Sequence, residues 1–225
     1  MSFHDRSEAG RNLAAALSRY RGDDVVVLAL PRGGVPVAAE VAKALGAPLD
    51  LLLVRKIGVP GHAELAAGAV VDDPDPVVVR NEGVIAQARV SEAEFERIKR
   101  DEIAEINRRR AQYLGGRPPS QVEGKTVIVV DDGVATGATM RAALRALRRR
   151  KPRRLVLAVP VGQTETIAEL DQETDDVVCL EMHQVFGGVG AFYSDFRQLS
   201  DADVTSILDQ FEPAGEPDKR SEPGG

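Results

Sequence analysis

The segment VIVVDDGVATGATM, residues 127–140, holds two kinds of chemistry four residues apart. Asp131 and Asp132 follow an apolar run, and two adjacent carboxylates can accept hydrogen bonds from a vicinal diol such as a ribose presents. Thr136, Gly137, Ala138 and Thr139 then lead into a helical pattern. Unpaired backbone N–H groups, hydroxyls and small residues at a helix start suit one phosphate. A P-loop needs a Lys after its glycines, and none lies between Asp131 and Met140; a dinucleotide fingerprint needs GxGxxG, whereas the glycines here are Gly133 and Gly137. A plain solvated loop would account for the acids but not for the Thr-Gly-Ala-Thr turn.

Two further apolar runs end in polar residues. LPRGGVP, residues 30–36, has glycines that let the backbone turn sharply beside a ligand, and Arg32 offers a forked cation to phosphate oxygens. Read alone, Pro-Arg-Gly-Gly is equally a tight strand-to-helix turn. VRKIG, residues 54–58, brings Arg55 and Lys56. Taken together, the three ends describe a ligand with a diol, one phosphate and a second anionic group, the layout of a phosphorylated ribose activated by pyrophosphate.

These loops need strands that deliver them to one edge. The runs VVVLAL (25–30), LDLLLV (49–54), TVIVVD (126–131), RLVLAVPV (154–161) and DVVCLEM (176–182) lack polar alternation, which marks strands covered on both faces. The fold class is therefore α/β, a Rossmann-like parallel sheet flanked by helices. Helices are expected over Pro36–Leu45, Ala138–Arg149 and Thr164–Glu173, and over about Asp5–Arg19 in a packing role through Leu13 and Leu17. The stretch IGVPGHAELAAGAV (57–70) reads as a mobile loop, followed by a hairpin through Val77–Arg80 and a charged helix over about Ser91–Tyr113. One domain is expected over residues 1–212, with an insertion over about 57–123 and a hood over about 183–197; residues 213–225 read as a disordered tail.

Composition narrows the function class. With 225 residues, 43% of them hydrophobic, the chain can bury a core, and its net charge of −6 argues against wholesale nucleic-acid binding. Apolar runs of about six residues are too short for a membrane span, so a soluble cytoplasmic protein is expected. The single cysteine, Cys179, excludes a disulfide framework and reads as a buried strand thiol; His4, His62 and His183 show no metal or triad spacing.

On these residues the sequence resembles type I phosphoribosyltransferases, whose signature is an apolar run, two acids, three variable residues and Thr-Gly-x-Thr. The resemblance spans about residues 22–183 and extends to a group of uncharacterised bacterial phosphoribosyltransferase-like proteins. It implies that Asp131 and Asp132 bind the ribose hydroxyls of phosphoribosyl pyrophosphate (PRPP) and that Ala135, Thr136, Gly137, Ala138 and Thr139 bind its 5-phosphate. Arg32, Gly33 and Gly34 would form the pyrophosphate loop, with a cis peptide expected at Arg32–Gly33, and Lys56 would be the basic residue beside it. The implied reaction is displacement of pyrophosphate at ribose C1 by a nucleophile, usually a nucleobase nitrogen, in nucleotide metabolism. Mg2+ would be carried by PRPP oxygens and water, with no protein ligand required and Asp131 and Asp132 within reach.

Family members acting on 6-oxopurines commonly place an acid at the position of Ala135, so such an acceptor is disfavoured. Phe192 and Tyr193, in FGGVGAFYSDF (186–196), are the residues expected to stack on the acceptor. Lys56, Glu64 and Arg32 are the catalytic candidates, with His62 beside Glu64 in the loop. PRPP and a small-molecule acceptor are the expected partners, with room for a homodimer. A second reading keeps the pocket as a PRPP sensor in an RNA-binding regulator, with Arg145, Arg148, Arg149, Arg150, Lys151, Arg153 and Arg154 meeting phosphates. Cations at a helix end also satisfy its dipole, which favours the enzyme.

Overall fold

The computed structural model describes residues 2–72, 76–115 and 117–211, apart from the side chains of Ala63 and Glu64. The tail expected over 213–225 lies outside the described residues. In chain order, α1 (Arg6–Ala16) precedes β1 (Val25–Ala29), α2 (Gly34–Leu45) and β2 (Leu49–Leu51). An inserted set follows: β3 (Val54–Val59), β4 (His62–Val71), β5 (Val77–Arg80), α3 (Glu82–Ala88) and α4 (Glu92–Leu114). The chain returns as β6 (Thr126–Val130), α5 (Ala138–Arg149), β7 (Arg154–Gln163), α6 (Thr164–Asp171), β8 (Asp176–His183) and α7 (Asp201–Leu208).

The central sheet has five parallel strands in the order β2-β1-β6-β7-β8. Its middle strands are buried throughout because both faces are covered. Val25, Val27, Ala29, Ile128 and Val130 share one core with α1 and α2. Val26, Leu28, Val127 and Val129 share the other with Leu144 and Leu147 of α5. This two-sided burial is why the runs show no alternation. β2 is shorter than its apolar run: Leu52 N–H still donates to Ala29 O, but Val54 already pairs with Val71 in a second sheet. α1 stops at Ala16, before the expected Arg19, and a short 3-10 turn (Ser18–Tyr20) buries Tyr20. α2 starts at Gly34, which leaves Pro36 in its first turn, where a missing N–H costs nothing.

The stretch 57–70, expected as a mobile loop, is instead a hairpin of β3 and β4 in an antiparallel sheet ordered β3-β4-β5. Gly61, at φ 76°, makes the turn. A Cβ on Gly68 would stand 2.5 Å from Val79 O, so the small residues that read as loop allow β4 and β5 to approach. The segment Val77–Arg80 is the third strand rather than a hairpin of its own. α4 begins with Ser91 and Glu94 in a reciprocal capping box. It is pinned to both sheets by Arg110, which pairs with Asp50 at 3.5 Å and with Asp72. No helix among the described residues is long and apolar enough to cross a membrane.

Candidate active site

β1 and β6 are neighbours, yet the chain leaves β1 for β2 on one side and β6 for β7 on the other. Loops that diverge this way open a crevice at the strand ends. The loop after β1 (31–34) and the loop after β6 (131–137) meet there. Leu30 N–H donates to Val130 O at 2.9 Å. A Cβ on Gly33 would overlap the Asp132 carboxylate, and one on Gly34 would stand 2.7 Å from Val130 O and 2.9 Å from Asp131 Cα. The glycine pair is what lets the two loops touch. The cis peptide lies between Pro31 and Arg32, one bond earlier than expected. Arg32 reaches Asp201 of α7 at 3.8 Å.

The two acids are fixed by different partners. Asp132 N–H donates to Asp131 Oδ1 at 2.8 Å, and Arg6 Nε donates to Asp132 Oδ2 at 2.7 Å. The two carboxyls also lie within hydrogen-bonding reach of each other. Burial and the adjacent Asp132 carboxylate push the Asp131 carboxyl well above its ordinary value. Burial raises Asp132 as well, while the Arg6 guanidinium opposes the rise. The pair therefore places two adjacent carboxyls at the strand end, and full ionisation of both is costly in the free protein.

The turn that follows is held from below. Ala135 O accepts from the Thr166 hydroxyl at 2.7 Å, and Gly137 adopts φ 68° against Thr166 and Leu170. α5 then starts at Ala138 with no side-chain cap, leaving first-turn N–H groups available beside the exposed Thr136 and the half-buried Thr139. Thr136, Ala138 and Thr139 line a cavity of about 560 Å³ between α5 and the inserted sheet. Lys56, Arg80, Arg141 and Arg145 line it together with Glu82, and the three arginines are paired with glutamates. Lys56 thus lies with the turn at 136–139, whereas Arg32 and Gly33 line a different cavity of about 430 Å³. The structure does not bring Lys56 into the cavity of the glycine loop.

The hood residues divide. Phe192 is half-buried in a cluster with Phe186, at 5.0 Å between centroids, and His183, at 4.5 Å. Tyr193 is buried, and its hydroxyl donates to Asp132 O at 2.6 Å. Its ring packs against Phe3 and Phe196, so its face is not open to an acceptor and the stacking role expected for it does not hold. Glu64 lies on β4 with its side chain outside the description, and His62 is exposed at the start of the same strand. Cys179 is on β8, where burial pushes its thiol up to about 11.

Arg6 is the site residue that sequence reasoning missed. It sits in α1, which read as packing, and no local spacing links it to an acid 126 residues away. The basic cluster at the end of α5 is engaged elsewhere: Arg145 pairs with Glu173, Arg148 with Asp175 and Arg153 with Asp23.

A switch-point crevice thus gathers the paired acids, the uncapped helix start and the glycine loop at one edge of the sheet. The sequence matches the phosphoribosyl transferase domain family over residues 3–197, and the chain belongs to that family. It is 43% identical over 225 residues to a Mycobacterium tuberculosis (strain H37Rv) protein named as a candidate phosphoribosyl transferase, covering 98% of this chain and 50% of the relative. The chain thus spans about half the length of the curated relatives it matches. The crystal structure of TT1426 from Thermus thermophilus superposes with a TM-score of 0.81 at 42% identity, covering 95% of this chain and 100% of that one.

Proposed function

We propose that this chain is a Mg2+-dependent phosphoribosyltransferase of the cytoplasm that binds PRPP and transfers its ribose 5-phosphate to an acceptor, with release of pyrophosphate. The observation that carries this reading is the pair of adjacent carboxyls, Asp131 and Asp132, held beside the uncapped start of α5. The acids accept from the ribose hydroxyls while N–H groups and hydroxyls at 136–139 hold the 5-phosphate. Backbone at Gly33 and Gly34, with Arg32, receives the pyrophosphate. The acceptor nitrogen forms a bond to C1 as the bond from C1 to the pyrophosphate oxygen breaks; the electron pair leaves with pyrophosphate, and the proton the nitrogen carried is released to water. The protein contributes positioning and charge, which suits a reaction needing no side-chain nucleophile.

Among the described residues no three His, Cys, Asp or Glu side chains converge on a metal. The adjacent Asp131 and Asp132 carboxyls would fit, through water, a hard cation that keeps most of its waters. Mg2+, when bound through donor oxygens and water, supplies charge neutralisation at the pyrophosphate. In this reading residues 1–212 form one catalytic domain with the inserted sheet and α4 beside the phosphate turn and the hood over 183–197. Phe192 remains the acceptor-facing candidate, and Ala135 disfavours a 6-oxopurine; a nucleobase of another class is the acceptor proposed. A panel of nucleobases assayed for PRPP-dependent pyrophosphate release tests the reading. Release with at least one base supports it; tight PRPP binding with no release for any base, amine or water overturns transfer.

A further inference from the structure

We propose that Arg6, carried by the N-terminal helix, meets the pyrophosphate of the donor, so that one side chain links the ribose-binding carboxylate to the leaving group. This rests on the donor reading above and supplies a residue for it. Arg6 is only 9% exposed. Its Nε is committed to Asp132 at 2.7 Å, one terminal nitrogen donates to Arg197 O at 2.9 Å, and the guanidinium lies 3.9 Å from the Phe196 ring centroid. Those three contacts fix the plane of the group. The other terminal nitrogen has no hydrogen-bond partner among the described residues, and it is not sealed from solvent as parts of Arg117 and Arg141 are.

The surroundings give that nitrogen a direction. Arg6 lines the cavity of about 430 Å³ together with Arg32, Gly33, Asp132 and Arg197. Three arginines and one aspartate line it, with Arg32 also reaching Asp201 at 3.8 Å, and Gly33 of the glycine loop forms part of its wall. A forked cation with one edge held and one edge open matches a phosphate oxygen pair better than a point charge would. Lys56, the cation expected here, lines the other cavity. Arg6 does not swing freely into place. The chain around it is tied to the hood by Ser2 and Phe3 N–H donating to Phe192 O, Ser194 N–H to Phe3 O and Asp195 N–H to His4 O.

Arg6→Lys tests the assignment, because an ammonium keeps a positive charge beside Asp132 but cannot also present a second edge to the cavity. Isothermal titration with PRPP, inorganic pyrophosphate and ribose 5-phosphate, each with Mg2+, separates the roles. Expected is a loss of roughly tenfold or more for PRPP and pyrophosphate, with ribose 5-phosphate held within about twofold. Equal losses for all three ligands mean that Arg6 acts only through Asp132, and no loss for any means it touches neither; both overturn the proposal. Should Arg6→Lys fail to fold by circular dichroism, Arg6→Gln, whose amide reaches Asp132 alone, carries the same comparison. A wild-type protein that binds none of the three overturns the donor reading itself, and this inference with it.

Discussion

Gly33 lies so close to Asp132 that a Cβ at position 33 would overlap the carboxylate and stand 2.5 Å from its Cγ. The absence of a side chain in one loop is thus a condition for the position of a functional group in the other. Gly33→Ala must displace either the loop or the acid, and overpacking of this kind costs about 1–3 kcal/mol. The expected outcome is a lower Tm together with loss of PRPP-induced stabilisation, read by thermal shift with and without the ligand. A Gly33→Ala protein that keeps the full PRPP shift would show that the contact is irrelevant to the donor.

The acid pair makes a pH prediction with a definite sign. Both carboxyls have raised values in the folded protein, so the native state holds protons that the unfolded chain has released. Their contribution to stability is fully present below the ordinary carboxylate range and is lost as pH rises through the raised native values. Asp131→Asn removes the more strongly raised group. Its Tm should rise relative to wild type at neutral pH, by about 2–4 °C per kcal/mol relieved, with PRPP binding abolished. PRPP affinity of the wild type should strengthen with pH across the same window, since the hydroxyls bind the ionised pair; titrations at several pH values check this.

Tyr193→Phe removes the hydroxyl that donates to Asp132 O at 2.6 Å while keeping the buried ring. A loss of about 1–3 kcal/mol in stability is expected from the unpaired carbonyl, visible as a lower urea midpoint. PRPP affinity should weaken with it, while acceptor preference stays as in the wild type. A change of acceptor preference would return Tyr193 to the role its sequence suggests.

Arg110 ties α4 to both sheets. It faces Asp50 and Asp72, which are 6% and 7% exposed, and Asp50 also accepts from Ser120 N–H at 2.7 Å. Arg110→Met removes the cation that Asp50 faces while Ser120 N–H still donates to Asp50, a change expected to cost about 1–3 kcal/mol. Chemical denaturation should show that loss, and a cost below about 1 kcal/mol would place the tie elsewhere.

How far these residues were legible depended on whether their cause was local. The start of α5 at Ala138 was readable because a Thr-Gly-Ala-Thr turn before an amphipathic pattern leaves few alternatives. The central strands were readable because burial on both faces writes itself as an unbroken apolar run. The hairpin at 57–70 was not, because the Gly and Ala residues that let β4 approach β5 are the same ones that signal a loop. Tyr193 was misread for a related reason: an aromatic ring with a polar tip suits a ligand pocket and a buried hydrogen bond equally, and only its neighbours decide.

The sequence by itself determined the α/β class, the family and the turns that follow β1 and β6, because a run of side chains and the turn after it are set by neighbours along the chain. Tertiary structure alone decided that Arg6 faces Asp132, that Lys56 shares a cavity with the turn at 136–139 while Arg32 and Gly33 line another, and that Tyr193 holds a backbone carbonyl. Those facts depend on strand order. β1 and β6 lie side by side although α2, β2 and the whole inserted set intervene along the chain, and the crevice between them exists only once the sheet has formed.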